Sequence, residues 1–223
     1  MSQLVRRPRG KDTKVRFGTF YRCLVSELLG VHATGKSVLD VGSFDGFFLS
    51  TIEAPLKVGI DPSPAERRFS AVLVADVHSL PFPEGCFDTV FAFDVIEHIP
   101  DDAGAVQSML DALAKRGTLW MSVPFKDFTI TPPFLTGWYN RRCGHVRPGY
   151  SATDIHCLFP QECEITKYCW NEPFFRRLYF PLRALWAMVP ALARRLLRVV
   201  LILDSRFADG KSGHLFIKVR YVK

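Results

Sequence analysis

Five aspartates, Asp40, Asp45, Asp61, Asp76 and Asp94, stand at or just after the ends of short apolar runs. In an open, mostly parallel α/β sheet, the carboxyl ends of the strands form the ligand crevice. A crevice crowded with carboxylates suits a dinucleotide pyrophosphate poorly, because like charges repel strongly at low dielectric. It suits a cationic ligand whose ribose hydroxyls need acceptors. A second group follows Asp94 directly: Glu97-His98, with His145 far along the chain in a Gly-His-Val-Arg run. Imidazole titrates near neutral pH, so His98 and His145 are candidates to take a proton from an acceptor. A structural histidine bonded to loop backbone is the other reading of His145.

Those residues need strands to carry them. Ser37–Val41 reads as a buried parallel strand, followed by a turn with Gly42 and Gly46 four residues apart. Glycine there lets the backbone bend sharply and lets a ligand approach the main chain. Phe47 to Glu53 then reads as a helix. Val58-Gly59-Ile60 leads to Asp61, about 20 residues on, where a ribose-binding carboxylate is expected. Pro62 and Pro64 force an extended exit before a short helix. Ala71–Ala75, Thr89–Phe93 and Thr118–Val123 read as further strands, and Glu164–Trp170 and His214–Val222 as the last two. Phe17–Gly30 has the spacing of an amphipathic covering helix, and Asp101–Lys115 of a helix closed by Gly117. S-adenosylmethionine, with its sulfonium and ammonium groups, is a ligand of the cationic, ribose-bearing kind.

The segments VLDVGSFDG (38–46), VGID (58–61), ADVHSLPFPEGCFDTVFAFDVIEHI (75–99) and RGTLWMSVP (116–124) resemble a class I S-adenosylmethionine-dependent methyltransferase of the type 11, ubiquinone-biosynthesis-like group. They occur in the family's order and cover roughly the first half of the chain. The resemblance implies a Rossmann-like seven-stranded α/β sandwich with strand 7 antiparallel and S-adenosylmethionine as cofactor. It places Asp40, Gly42, Ser43 and Gly46 around the methionine part, Asp61 on the ribose, Asp76 and Val77 at the adenine, and Asp94 against the cofactor. Phe44 stands where the family has glycine, which leaves the fine loop geometry open. Asp45 reads as a solvated turn residue. If residues 94–98 turn helically, Asp94, Glu97 and His98 share one face. Small-RNA 2′-O-methyltransferases and some ubiquinone-pathway enzymes have a similar cluster, so Asp94, Glu97, His98 and His145 form an alternative metal site. The same Glu-His pair also occurs in relatives without metal. Family members acting on small acceptors often carry a similar H-x-R, as at 145–147, near the acceptor.

The net charge of +7 is uneven: residues 1–16 carry +5, residues 173–208 carry +6, and the remainder −4. A mildly acidic body with two basic attachments suggests an anionic partner. Residues 1–16 read as a basic arm and 17–223 as the catalytic domain. Within it, 125–150 is an aromatic acceptor loop and 171–213 a basic amphipathic helical insertion between strands 6 and 7. In the insertion, Arg176, Arg183, Arg194 and Arg198 fall within about 60° on a helical wheel. Pro181 and Pro190 kink or break it, and arginine interrupts it too often for a bilayer span. Helices lying in a membrane interface fit this pattern, as do a dimer interface or a cover over the substrate pocket. The polar, basic start offers no secretory signal, so the expected place is cytoplasmic, peripheral at the inner face of a membrane. The six cysteines show no C-x-x-C pair and read as reduced thiols. The leading function is O-methylation of a small, lipidic or lipid-linked acceptor such as a quinone, isoprenoid or glycolipid. Metal-assisted RNA 2′-O-methylation and a non-catalytic membrane-binding module are the alternatives; basic residues beside an apolar face disfavour nucleic acid. Oligomeric state is open.

Overall fold

The computed structural model of the protein describes residues 15–64, 69–206 and 213–221. The apolar runs form one seven-stranded sheet: β1 (Ser37–Val41), β2 (Leu56–Asp61), β3 (Val72–Val74), β4 (Phe87–Phe93), β5 (Leu113–Pro124), β6 (Cys163–Asn171) and β7 (Gly213–Tyr221). The spatial order is β3-β2-β1-β4-β5-β7-β6, with β7 antiparallel to both its neighbours and the other pairs parallel. The order reverses between β1 and β4, which opens a crevice at their carboxyl ends.

Each central strand feeds two cores, because successive side chains point to opposite faces. Leu39, Val90 and Ala92 pack on one side under α3 (Asp102–Asp111) and α5 (Ala152–Cys157). Val38, Phe91 and Phe93 pack on the other under α1 (Phe17–Leu28), α2 (Phe47–Thr51) and the insertion. Ser151 and Asp154 cap α5 reciprocally, as their spacing indicates. All six cysteines are free thiols.

Several boundaries differ from expectation for local reasons. The helix expected to run to Lys115 ends at Asp111, and β5 starts at Leu113. Leu113 already pairs with Phe87, and the register then shifts, with Arg116 at φ 62°. A bulge of this kind inserts residues into a strand without ending it. The aromatic stretch 125–150 contains α4 (Thr136–Cys143), closed by left-handed Gly144. The insertion is a helical pair, α6 (Pro173–Met188) and α7 (Pro190–Asp204). Pro190 separates them, since the residue before a proline is pushed to extended backbone and Val189 has φ −138° and ψ 76°. Pro181 lies inside a continuous α6. Most of the basic arm and the short helix after Pro64 lie outside the described residues.

Candidate active site

A crevice of about 1780 Å³ crosses the carboxyl edge of the sheet. Gly42, Asp61, Asp76, Val77 and Asp94 line it, joined by Glu97, His98 and His145. Asp40, Ser43 and Gly46 do not line it. Asp40 is buried at the end of β1, where burial pushes its carboxyl up to about 7. The Ser43 N–H donates to the Ile60 carbonyl at 2.9 Å, tying the turn to β2. A Cβ on Gly46 would come within 2.8 Å of the Ser70 backbone nitrogen. These three residues shape the turn from behind. Asp45 is buried rather than solvated, and its carboxylate accepts the Phe47 N–H at 3.0 Å at the start of α2.

The turn is left-handed at Gly42, Phe44 and Gly46, with φ 70°, 50° and 72°. A Cβ on Gly42 would stand 2.7 Å from the Val95 side chain. Phe44, in place of glycine, takes this conformation with the Arg16 guanidinium 4.2 Å above its ring. Asp61 accepts the Phe44 N–H at 3.2 Å and the Ser63 N–H at 2.9 Å, so it fixes the turn while its carboxylate borders the crevice. The Asp76 carboxylate accepts the His78 N–H at 2.9 Å. Acceptor oxygens on the wall, beside a tight turn in which Gly42 makes room for Val95, fit an adenosine ligand of positive charge.

Asp94 does not share a helical face with Glu97 and His98. Its φ of 53° breaks the phase before the 3₁₀ turn Ile96–His98. Its carboxylate accepts from Arg22 Nη2 at 3.1 Å and from Ser122 Oγ at 2.6 Å, and lies 4.0 Å from His214 Nε2. Burial raises this carboxyl, but Arg22 and His214 outweigh burial and hold it below the ordinary carboxylate value.

Glu97, His98 and His145 do converge, with one ligand atom from each lying within 4.8 Å of the others. The His98 and His145 ring centroids are 4.9 Å apart at 80°. The Val146 N–H donates to the Glu97 carbonyl at 2.9 Å, which laces the loop to the 3₁₀ turn. Glu97 Oε2 and His145 Nδ1 are buried without a hydrogen-bond partner. Burial pushes Glu97 up to about 8 and His145 down to about 4, so both are uncharged at neutral pH. His145 therefore does not titrate near neutral pH as a free imidazole would. The four-residue metal set is split: Asp94 is turned to Arg22, and three side chains remain that could face one divalent ion. Arg147 of the H-x-R run does not line the crevice; it bonds the Pro100 carbonyl and Asp102 Oδ1, each at 3.2 Å.

The motifs did not indicate a further buried network. Glu172, fully buried, accepts the Tyr21 hydroxyl and faces His214 Nδ1 at 2.9 Å. Burial lowers the His214 imidazole, but Glu172 and Asp94 overcome this and raise it to about 9, making it an imidazolium at neutral pH. Beside it, a chamber of about 120 Å³ opens off the crevice, walled by Phe17, Tyr21, Phe128, Tyr139, Phe175 and Tyr179. Of the insertion arginines, Arg176 lines this chamber, 5.3 Å over the Phe128 ring, while Arg194 lies 5.4 Å over both Phe20 and Trp186 outside it. Arg183 donates to the Tyr179 hydroxyl at 3.1 Å, and Arg198 to Glu27 at 3.2 Å. The predicted arginine face exists, but it is turned toward α1 and the aromatic loop.

The model of the Methyltransferase domain family matches residues 14–162. An uncharacterized methyltransferase of Mycobacterium sp. (strain KMS) is 32% identical over 106 residues, covering 41% of this chain and 42% of that protein. A tRNA U34 carboxymethyltransferase of Campylobacter curvus is 31% identical over 116 residues, covering 44% and 39%. The match thus spans about two fifths of the length of these curated relatives. Among solved structures, phosphoethanolamine N-methyltransferase 2 of Haemonchus contortus, with S-adenosylhomocysteine bound, aligns with a TM-score of 0.56 at 18% identity, covering 92% of this chain and 52% of that one. The Bacillus subtilis YcgJ protein aligns with a TM-score of 0.59 at 15% identity, covering 92% and 99%. The fold and the matched segments together define a methyltransferase domain. The chain belongs to the class I S-adenosylmethionine-dependent methyltransferases, and S-adenosylmethionine is the cofactor of that family.

Proposed function

We propose that the protein transfers a methyl group to an oxygen of a small, lipidic or lipid-linked acceptor. The size and continuity of the crevice carry this reading. A single small-molecule site occupies about 300–1,000 Å³, whereas this crevice of about 1780 Å³ runs from Asp61 and Asp76 to Trp138, Phe180, Trp186 and Pro190. It has room for a cofactor at the carboxylate end and an apolar acceptor at the end built by α4, α6 and α7. S-adenosylmethionine supplies an electrophilic methyl carbon, which leaves sulfur as the acceptor oxygen attacks. Between the two ends stand His98 and His145, placed to take the hydroxyl proton. The aromatic walls and the lacing of the loop to residues 96–98 hold the acceptor in line, and alignment supplies much of the rate in such a displacement.

Incubating the protein with methyl-labelled cofactor and a total lipid extract, followed by mass spectrometry, should show label in a lipid-soluble product as a methyl ether or ester. Label appearing only in RNA would favour 2′-O-methylation instead, and no transfer to any fraction would favour a non-catalytic module.

A further inference from the structure

The insertion presents two apolar faces. On α7, Ala193, Leu197, Val200 and Leu201 are buried against the body. Beside that face Leu192, Leu196, Val199 and Leu203 recur at helical spacing and are 46%, 41%, 54% and 38% exposed. At the corner between α6 and α7, Met188 is 79% and Val189 46% exposed. An exposed apolar stripe beyond the face that packs on the body marks an interaction site, so it calls for an occupant.

Charge identifies that occupant. Arg195 is exposed beside the stripe, whereas Arg198, though exposed, is paired with Glu27 of α1. The acidic residue of the helical pair, Asp204, is buried, and its carboxylate accepts the Phe174 and Phe175 N–H groups at 2.8 and 3.1 Å. The helical pair itself therefore offers Arg195 there and no exposed carboxylate. A second copy docked on this face across a twofold axis would present the same Arg195, with no carboxylate of either helical pair to answer it. A negatively charged bilayer meets both needs at once: headgroups for Arg195 and acyl chains for the apolar stripe. The position is also continuous with the crevice, because Ala187 and Pro190, flanking the exposed Met188-Val189 corner, line it. No helix among the described residues is long and apolar enough to cross a membrane, which leaves the pair to lie along a surface.

We infer that α6 and α7 form a docking surface for an anionic lipid bilayer, with Leu192, Leu196, Val199 and Leu203 inserted and Arg195 on the headgroups. This surface is distinct from the inward arginine face and does not depend on which acceptor is methylated. Sedimentation of the full chain with vesicles tests it. The protein should pellet with phosphatidylcholine vesicles containing phosphatidylglycerol, more than with phosphatidylcholine alone. Salt should weaken this only in part, because screening leaves the apolar insertion. Arg195→Gln should weaken binding about fivefold, the equivalent of about 1 kcal/mol per basic residue near such a surface. Leu196→Glu with Val199→Glu should leave the protein in the supernatant while S-adenosylmethionine affinity, measured in parallel, stays at the wild-type value and reports an intact fold. Wild-type protein that stays in the supernatant with phosphatidylglycerol vesicles at low salt would overturn the inference. So would a dimer in analytical ultracentrifugation that the same double variant dissociates, since a second copy would then cover the stripe.

Discussion

Asp61→Ala should weaken S-adenosylmethionine binding by about 1–3 kcal/mol, roughly five- to 150-fold, the usual cost of leaving buried donors without an acceptor. Asp61 ends β2 at the crevice wall and also holds the turn through the Phe44 and Ser63 N–H groups. Removing it would take away the acceptor proposed for the two ribose hydroxyls and the bonds that hold the loop beside them. Asp61→Asn, which keeps the shape and one acceptor oxygen, should lie between wild type and alanine. Calorimetric titration would read both variants. Wild-type affinity in Asp61→Ala would remove this carboxylate from the cofactor site.

His145→Ala and His98→Ala should each lower the rate of methyl transfer by about a hundredfold or more, the typical span for a positioned proton acceptor, with cofactor affinity nearly unchanged. The pH profile adds a sharper test. Burial lowers His145 to about 4, so its neutral, proton-accepting form is present above that value and is lost only as the pH falls through it. If His145 is the acceptor, its acid limb should lie near 4 rather than near 6.5, the ordinary imidazole value. Activity lost in chelator and restored by Mg²⁺ or Zn²⁺ would instead assign Glu97, His98 and His145 to a metal, whose positive charge would lower the pKa of the acceptor hydroxyl. Full turnover in both variants would remove both roles.

The parts of this site that the sequence made legible are local ones. β1, the Gly42–Gly46 turn and Asp61 lie within one βαβ unit, where apolar runs and glycines mark strand and turn over short distances. β4 and the Glu97-His98 pair were visible for the same reason. Topology and backbone conformation determined the rest. Nothing in the spacing of residues 94–98 announces that Asp94 turns left-handed and pairs with Arg22, 72 residues away. His214 and Glu172 come together because β6 and β7 are antiparallel neighbours, and Tyr21 reaches Glu172 across 151 positions. No local pattern reports such pairs. The insertion shows the limit of periodicity most clearly. A helical wheel groups Arg176, Arg183, Arg194 and Arg198 on one face, but cannot say whether that face meets solvent or the body. The aromatic rings of α1 and of the 125–150 loop decide it, by offering π-faces to Arg176 and Arg194.

The proposed function requires one crevice to hold the cofactor at its carboxylate end and an acceptor at its aromatic end. A crystal structure with S-adenosylhomocysteine bound tests this most directly. The ribose hydroxyls should lie on Asp61, the adenine beside Asp76 and Val77, and the sulfur toward Asp94, His98 and His145, with the space beneath α6 and α7 left open. A nucleoside seated under the insertion, with Asp61 and Asp76 untouched, would contradict it.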